Sequence, residues 1–250
     1  MQRYFVNTHA NDQGTFKVEH EDAHHMLKVM RMKPGDCFFS VFLNGQSALA
    51  KIVEITSESV IASVIEWKDE DKELPVGVTI VSGLPKGDKL EYVIQKGTEL
   101  GAARFIPFKA DRSIVKWDAK KASKKRDRWE KIAKEAAEQS HRTIVPTIDE
   151  PQTLQELVAI SQNYDHKLIA YEEAAKEGEY SVLATKLANV SPGDSLLFVF
   201  GPEGGLSTDE VVHLKENGFQ ACGLGPRILR TETAPLYALS AISFKFELMR

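Results

Sequence analysis

Cysteine is nearly absent: the 250 residues contain two, Cys37 and Cys222. Each is flanked by strand-forming residues with no second cysteine close by, which excludes a disulfide framework or a cysteine-based zinc site and fits a reducing compartment. Long apolar runs are missing too, and the longest fall well short of the roughly 20 residues a membrane span needs. Met1, Gln2, Arg3, Tyr4 and Phe5 do not make the apolar core of a signal peptide, so a cytoplasmic protein is expected, with no membrane partner. No Gly-x-Gly-x-x-Gly and no Walker pattern occurs, which removes the commonest phosphate loops. Repeats and low-complexity tracts are absent. With 42% hydrophobic and 27% charged residues, the chain can bury a sizeable core as one large domain or two modest ones.

No strong charge of one sign is present either. Thirty-two Lys and Arg stand against 36 Asp and Glu, a net charge of −4, which taken alone argues weakly against a nucleic-acid partner. The distribution argues otherwise. Residues 116–134 carry nine Lys and Arg against three acids, and Arg104, Lys109, Arg112 and Arg142 extend the same region. A solvated helix face is the ordinary explanation of such a run. Next to a β-rich module, an anionic polymer becomes the better one.

Up to about residue 67 the pattern predicts β hairpins around one short helix, a small barrel. Residues 4–6, 37–43, 48–55 and 60–67 are rich in β-branched and aromatic side chains, and Asn44-Gly45 suits a two-residue hairpin turn. An acidic stretch ending at Leu74-Pro75 marks a boundary, giving expected domains of 1–72 and 73–250. Beyond it strands and helices alternate: strands at 76–82, 104–108, 167–171, 195–200 and 219–224, helices at 86–100, 124–142, 207–217 and 235–249. Ser207 and Glu210 form a capping box with Gly218 as the stop. This alternation predicts an α/β domain with a mostly parallel sheet and a ligand site at the carboxyl ends of its strands.

Two loops leave those ends. Gly201-Pro202-Glu203-Gly204-Gly205 follows a buried strand and precedes the capped helix. Its glycines let backbone approach a ligand, while Glu203 would repel phosphate. Leu224-Gly225-Pro226-Arg227-Ile228-Leu229-Arg230-Thr231-Glu232-Thr233-Ala234-Pro235 packs two arginines, a carboxylate and hydroxyls between a strand and the last helix. Each loop alone reads equally as a tight turn or a helix cap; together they favour one pocket. His20-Glu21-Asp22-Ala23-His24 formally matches the zinc-protease pattern. It has no evident third ligand, so no metal is expected, and the plainer reading is a helix turning Met26, Leu27 and Met30 inward.

These loops, with Lys86-Gly87-Asp88-Lys89, Gln95-Lys96, Glu99-Leu100-Gly101, Asp111-Arg112-Ser113, Glu135 through Arg142 (Glu-Ala-Ala-Glu-Gln-Ser-His-Arg) and the stretch from His24 to Asp36, resemble the SPOUT methyltransferases. More closely, they resemble the ribosomal RNA small subunit methyltransferase E family, over nearly the whole chain. Asp111 stands where that family more often has Glu. The resemblance implies methylation of N3 of a uridine in 16S ribosomal RNA, with S-adenosylmethionine as donor and the assembled small ribosomal subunit as substrate. It implies a PUA-like N-terminal RNA-binding barrel, a C-terminal α/β domain threaded into a deep trefoil knot, and a homodimer. The knot runs against the general rule of unknotted connections and rests on the resemblance alone.

On that footing the cofactor residues are expected to be Tyr171, Gly201, Pro202, Glu203, Gly204, Gly205, Leu224, Gly225, Arg227, Ile228, Leu229, Arg230, Thr233 and Ala234, with Leu206, Leu224, Ile228 and Leu229 as apolar walls. Arg230 is expected to stabilise charge on the uracil oxygens, assisted by Arg227 or Arg112, while Glu232 orients an arginine or takes a proton. Arg3, Arg31, Arg112, Lys116, Lys124 and Arg128 are the expected RNA contacts. A non-catalytic RNA-binding assembly factor is the alternative; retention of both loops speaks against it.

Overall fold

In a computed structural model, residues 1–70, 72–115, 119–173 and 181–249 are described. The chain divides into two compact units, residues 1–73 with 137–144, and residues 74–136 with 145–250. The return of 137–144 to the first unit is a grouping that no linear boundary shows.

The first unit is a curled sheet in the order β1-β3-β4-β5-β2, with β1 Arg3–Phe5, β2 Thr15–Val18, β3 Cys37–Val41, β4 Ser47–Ile55 and β5 Val60–Lys68. Two irregularities in the β4–β5 register strengthen its twist. Tyr4, Phe16, Phe38, Ile52 and Met26 fill its core. Three expectations are corrected here. First, β1 pairs with β3 in parallel, so it is not part of a hairpin. Second, the turn at Asn44-Gly45 is a three-residue loop: the Gly45 amide donates to Phe42, the Phe42 amide to Gln46, and only Gly45 has a positive φ, +79°. Third, Met30 points outward, because α1 His20–His24 continues as a wider π turn, His25–Val29, which shifts Met30 off the buried face.

The second unit has six parallel strands in the order β11-β9-β10-β6-β7-β8. They are β6 Gly77–Gly83, β7 Arg104–Phe108, β8 Thr147–Ile148, β9 His166–Ala170, β10 Ser195–Phe200 and β11 Gln220–Cys222. The described helices are α2 Lys89–Glu99, α3 Ala119–Gln139, α4 Leu154–Ser161, α5 Val182–Ala188, α6 Thr208–Glu216 and α7 Thr233–Ser243, the last continuing in a π turn, Phe244–Leu248. A strand covered on both faces needs apolar residues at every position, and β10 reads Leu196 to Phe200 without a break. Its even positions join Leu90, Ile94, Trp129 and Leu239 from α2, α3 and α7. Its odd positions join Leu157, Val211 and Leu214 from α4 and α6. Among the described residues no helix is long and apolar enough to cross a membrane.

Candidate active site

Strands β6 and β10 are neighbours, yet the chain leaves them for opposite sides of the sheet. Ligands bind at the carboxyl ends of strands where connections diverge in this way. A cavity of about 670 Å³ opens there, lined by the ends of β9 and β10, both glycine-containing loops, Lys89 and Arg112. That volume suits one small organic molecule.

The first loop, residues 201–206, turns back on itself. A Cβ added to Gly201 would lie 2.8 Å from the Gly205 carbonyl carbon and from the Leu206 nitrogen, closer than real side chains come to backbone. The Ser207 and Glu210 capping box then starts α6. The same pair anchors a neighbouring loop, since Ser207 Oγ donates to Asp111 Oδ2 (2.8 Å) and the Asp111 amide to Glu210 Oε1 (2.9 Å). With Asp111 fixed, Arg112 Nη1 reaches the Gly204 carbonyl (3.0 Å). Arg112, expected at the RNA, therefore lines the cavity.

Lys89, the first residue of α2, stands between the two loops. Its Nζ lies 2.9 Å from Glu203 Oε1 and 3.7 Å from Glu232 Oε2. Burial pushes the Glu203 carboxyl up, but the hydrogen bonds from Lys89 and from backbone, including the Lys86 amide, hold it below its usual value. The sequence argument from a bare Glu203 is corrected accordingly: Lys89 balances its charge, so it neither repels phosphate strongly nor waits for a cation. Glu232 differs. Its Oε2 is buried with no hydrogen-bond partner, and among the described residues it makes no ion pair with an arginine, which corrects the expectation that it orients one. Lys89 carried no role in the sequence reading, although a lysine at the positive end of a helix was a visible signal.

Tyr171, Pro202, Gly205, Leu224, Gly225, Arg227, Leu229, Arg230 and Ala234 line the cavity as expected for one pocket, joined by Glu172, Glu173, Thr208 and Thr231, which the sequence reading omitted. Ile228 stands at the rim with 76% of its surface exposed, so it is an open edge rather than a wall. Thr233 and Glu232 lie outside the lining, Thr233 as the first residue of α7. Arg227 and Arg230 are both exposed.

The expected RNA contacts separate. Arg3 is corrected: its side chain is fully buried and bonded to Glu70 at 2.5 Å. Arg31 is exposed, in a left-handed conformation with φ +53°. Lys124 is exposed; Arg128 and Lys125 share Glu91, at 2.7 and 3.1 Å. Lys116 lies outside the described residues. No cluster of three metal-ligating side chains is found among the described residues, at His20-Glu21-Asp22-Ala23-His24 or elsewhere.

The family model of the RNA methyltransferase domain matches residues 72–243, and that of the RNA methyltransferase PUA domain residues 18–65. Ribosomal RNA small subunit methyltransferase E of Bacillus subtilis is 52% identical, over 100% of this chain and 99% of its own. The chain belongs to the ribosomal RNA small subunit methyltransferase E family. A family member from Neisseria gonorrhoeae, solved bound to S-adenosyl methionine, superposes with a TM-score of 0.84 at 30% identity, covering 97% of each chain. A protein from Legionella pneumophila, also solved with that cofactor, gives 0.84 at 27% identity over 96% of each. As a member of this family the chain has a PUA-like first module and an α/β methyltransferase module.

Proposed function

We propose that the protein methylates N3 of one uridine in 16S ribosomal RNA, using S-adenosylmethionine, in the cytoplasm and on the assembled small subunit. In this reading residues 1–72 are the RNA-binding barrel. Residues 73–250 are the SPOUT domain, knotted and paired in a homodimer. The observation that carries it is the cavity at the divergence of β6 and β10, built from two glycine-containing loops in a chain whose relatives are ribosomal RNA methyltransferases.

The residues fit the cofactor. Gly201, with no room for a Cβ against Gly205 and Leu206, lets the first loop fold tightly beside the cavity, Leu206, Leu224, Leu229 and Phe200 offer apolar surface to an adenine, and exposed loop backbone offers donors and acceptors. When bound, S-adenosylmethionine supplies an electrophilic methyl group on a positively charged sulfur. The chain must then make a nucleophile of a neutral uridine N3, which carries a proton. Glu232, beside Lys89 at the end of the second loop, takes that proton in this reading. Arg230 at the cavity edge, with Arg227, stabilises the charge that spreads over the uracil oxygens as the proton leaves. Arg112 holds the first loop through Gly204.

Ribosomal RNA from cells lacking the protein, analysed by mass spectrometry, is expected to lack one methylated uridine, restored by the purified protein with S-adenosylmethionine. A full complement of methylated uridine in the deletion strain would overturn the assignment. Arg230→Ala is expected to lower kcat about tenfold to a hundredfold with cofactor affinity nearly unchanged; normal turnover would remove its role. Lys124→Glu and Arg31→Glu are each expected to weaken RNA binding and reduce the salt slope by about one phosphate contact, with cofactor affinity unmoved. An unaltered slope in both would remove these residues from the RNA path.

A further inference from the structure

Lys89 breaks a local rule. A cation in the first turn of a helix meets the positive end of the helix dipole and unpaired backbone amides, so α2 would be more stable with a neutral or acidic residue there. Departures of this kind collect at functional sites. The gain lies across the cavity: Lys89 Nζ donates to Glu203 in the first loop and lies 3.7 Å from Glu232 at the end of the second. The two contacts are unequal. Glu203 also accepts the Lys86 amide (3.2 Å), so it is fastened to the α2 entry, whereas Glu232 keeps one buried oxygen with no hydrogen bond. Without Lys89, the two carboxylates that flank its ammonium group would lose the cation between them.

We infer that Lys89 is a positioning residue that staples the first cofactor loop to the end of the second through Glu203 and Glu232. Glu203 anchors the lysine by a hydrogen bond, and Glu232 Oε2 completes the staple as an ion pair at 3.7 Å. The cofactor role of the two loops rests on the methyl-transfer reading above; the staple does not.

Two measurements on Lys89→Met test it, with Lys89→Arg as the conservative variant. Hydrogen exchange in the ligand-free protein is expected to quicken about tenfold in residues 201–206 and 223–232, and Lys89→Arg to restore protection. KM for S-adenosylmethionine is expected to rise about tenfold in Lys89→Met with kcat changed far less, and to return in Lys89→Arg. Faster exchange in 201–206 alone, with 223–232 and KM unmoved, would overturn the inference, because that is what a simple partner of Glu203 would give. If Lys89→Met does not fold, Lys89→Gln carries the same two readouts. Failure of the wild type to bind S-adenosylmethionine in a titration would sink the methyl-transfer reading and leave the ligand-free exchange test standing, so the two failures are distinguishable.

Discussion

Gly201→Ala is expected to weaken S-adenosylmethionine binding by at least about a hundredfold, roughly 3 kcal/mol or more, while the protein still folds. The added methyl group would sit 2.8 to 2.9 Å from three backbone atoms of Gly205 and Leu206. Backbone cannot rotate away as a side chain does, so residues 201–206 must open, and with them the cavity wall next to Pro202 and Glu203. Gly204→Ala is the graded comparison. Its Cβ would meet Arg112 Cβ at 3.1 Å, a contact that a shift of a few tenths of an ångström relieves, so a loss of about tenfold or less is expected. Calorimetric titration with the cofactor, alongside circular dichroism, checks both. Equal affinities for Gly201→Ala and the wild type would mean that this loop does not shape the cofactor site.

The same loop shows why part of the site was legible from residues alone. Glycines directly after an unbroken apolar strand, followed by Ser207 and Glu210, are local signals, and the strand, turn and capping box all fall where they predict. Strand β7 likewise matches residues 104–108. Thr153 and Glu156 carry the same capping-box signal for α4, yet the helix was missed because the run behind it is short. Strand β2, with Lys17 breaking four residues, forms because β5 offers a partner, which is a tertiary cause. The pairing of Glu232 with Lys89 rather than with an arginine joins residues 143 positions apart, a separation no local pattern reports. Met30 failed for a different reason: the helix changes its turn width within its own length, and the period used to read its faces no longer holds.

Arg3 is the sharpest divergence between composition and structure, and Arg3→Ala is expected to lower the stability of the protein by about 3 to 5 kcal/mol. A three-residue strand is too short to reveal by alternation which side is buried, so an N-terminal arginine in a basic-patch argument reads as a phosphate contact. In the structure its Nη2 bonds Glu70, its Nη1 donates to the Arg142 carbonyl (3.3 Å), and its guanidinium lies over Phe39, 5.4 Å from the ring centre. Alanine would leave Glu70 the hydrogen bond from Ser47, remove the Arg3 hydrogen bond to the Arg142 carbonyl, and open a void beside Phe39. The pH dependence has a definite sign. Burial pushes the Glu70 carboxyl up, but the hydrogen bond and charge of Arg3, with Ser47, hold it below the ordinary value. The stabilisation is therefore present above the usual carboxylate range and disappears as pH falls through the depressed folded-state value. Urea unfolding of both proteins from neutral pH to about pH 3 is expected to show a large gap that narrows on acidification. The salt slope of RNA binding by folded Arg3→Ala is expected to match the wild type, in contrast to Arg31→Glu. A stability change below about 1 kcal/mol, or a reduced salt slope in the folded variant, would return Arg3 to the surface role that its composition suggests.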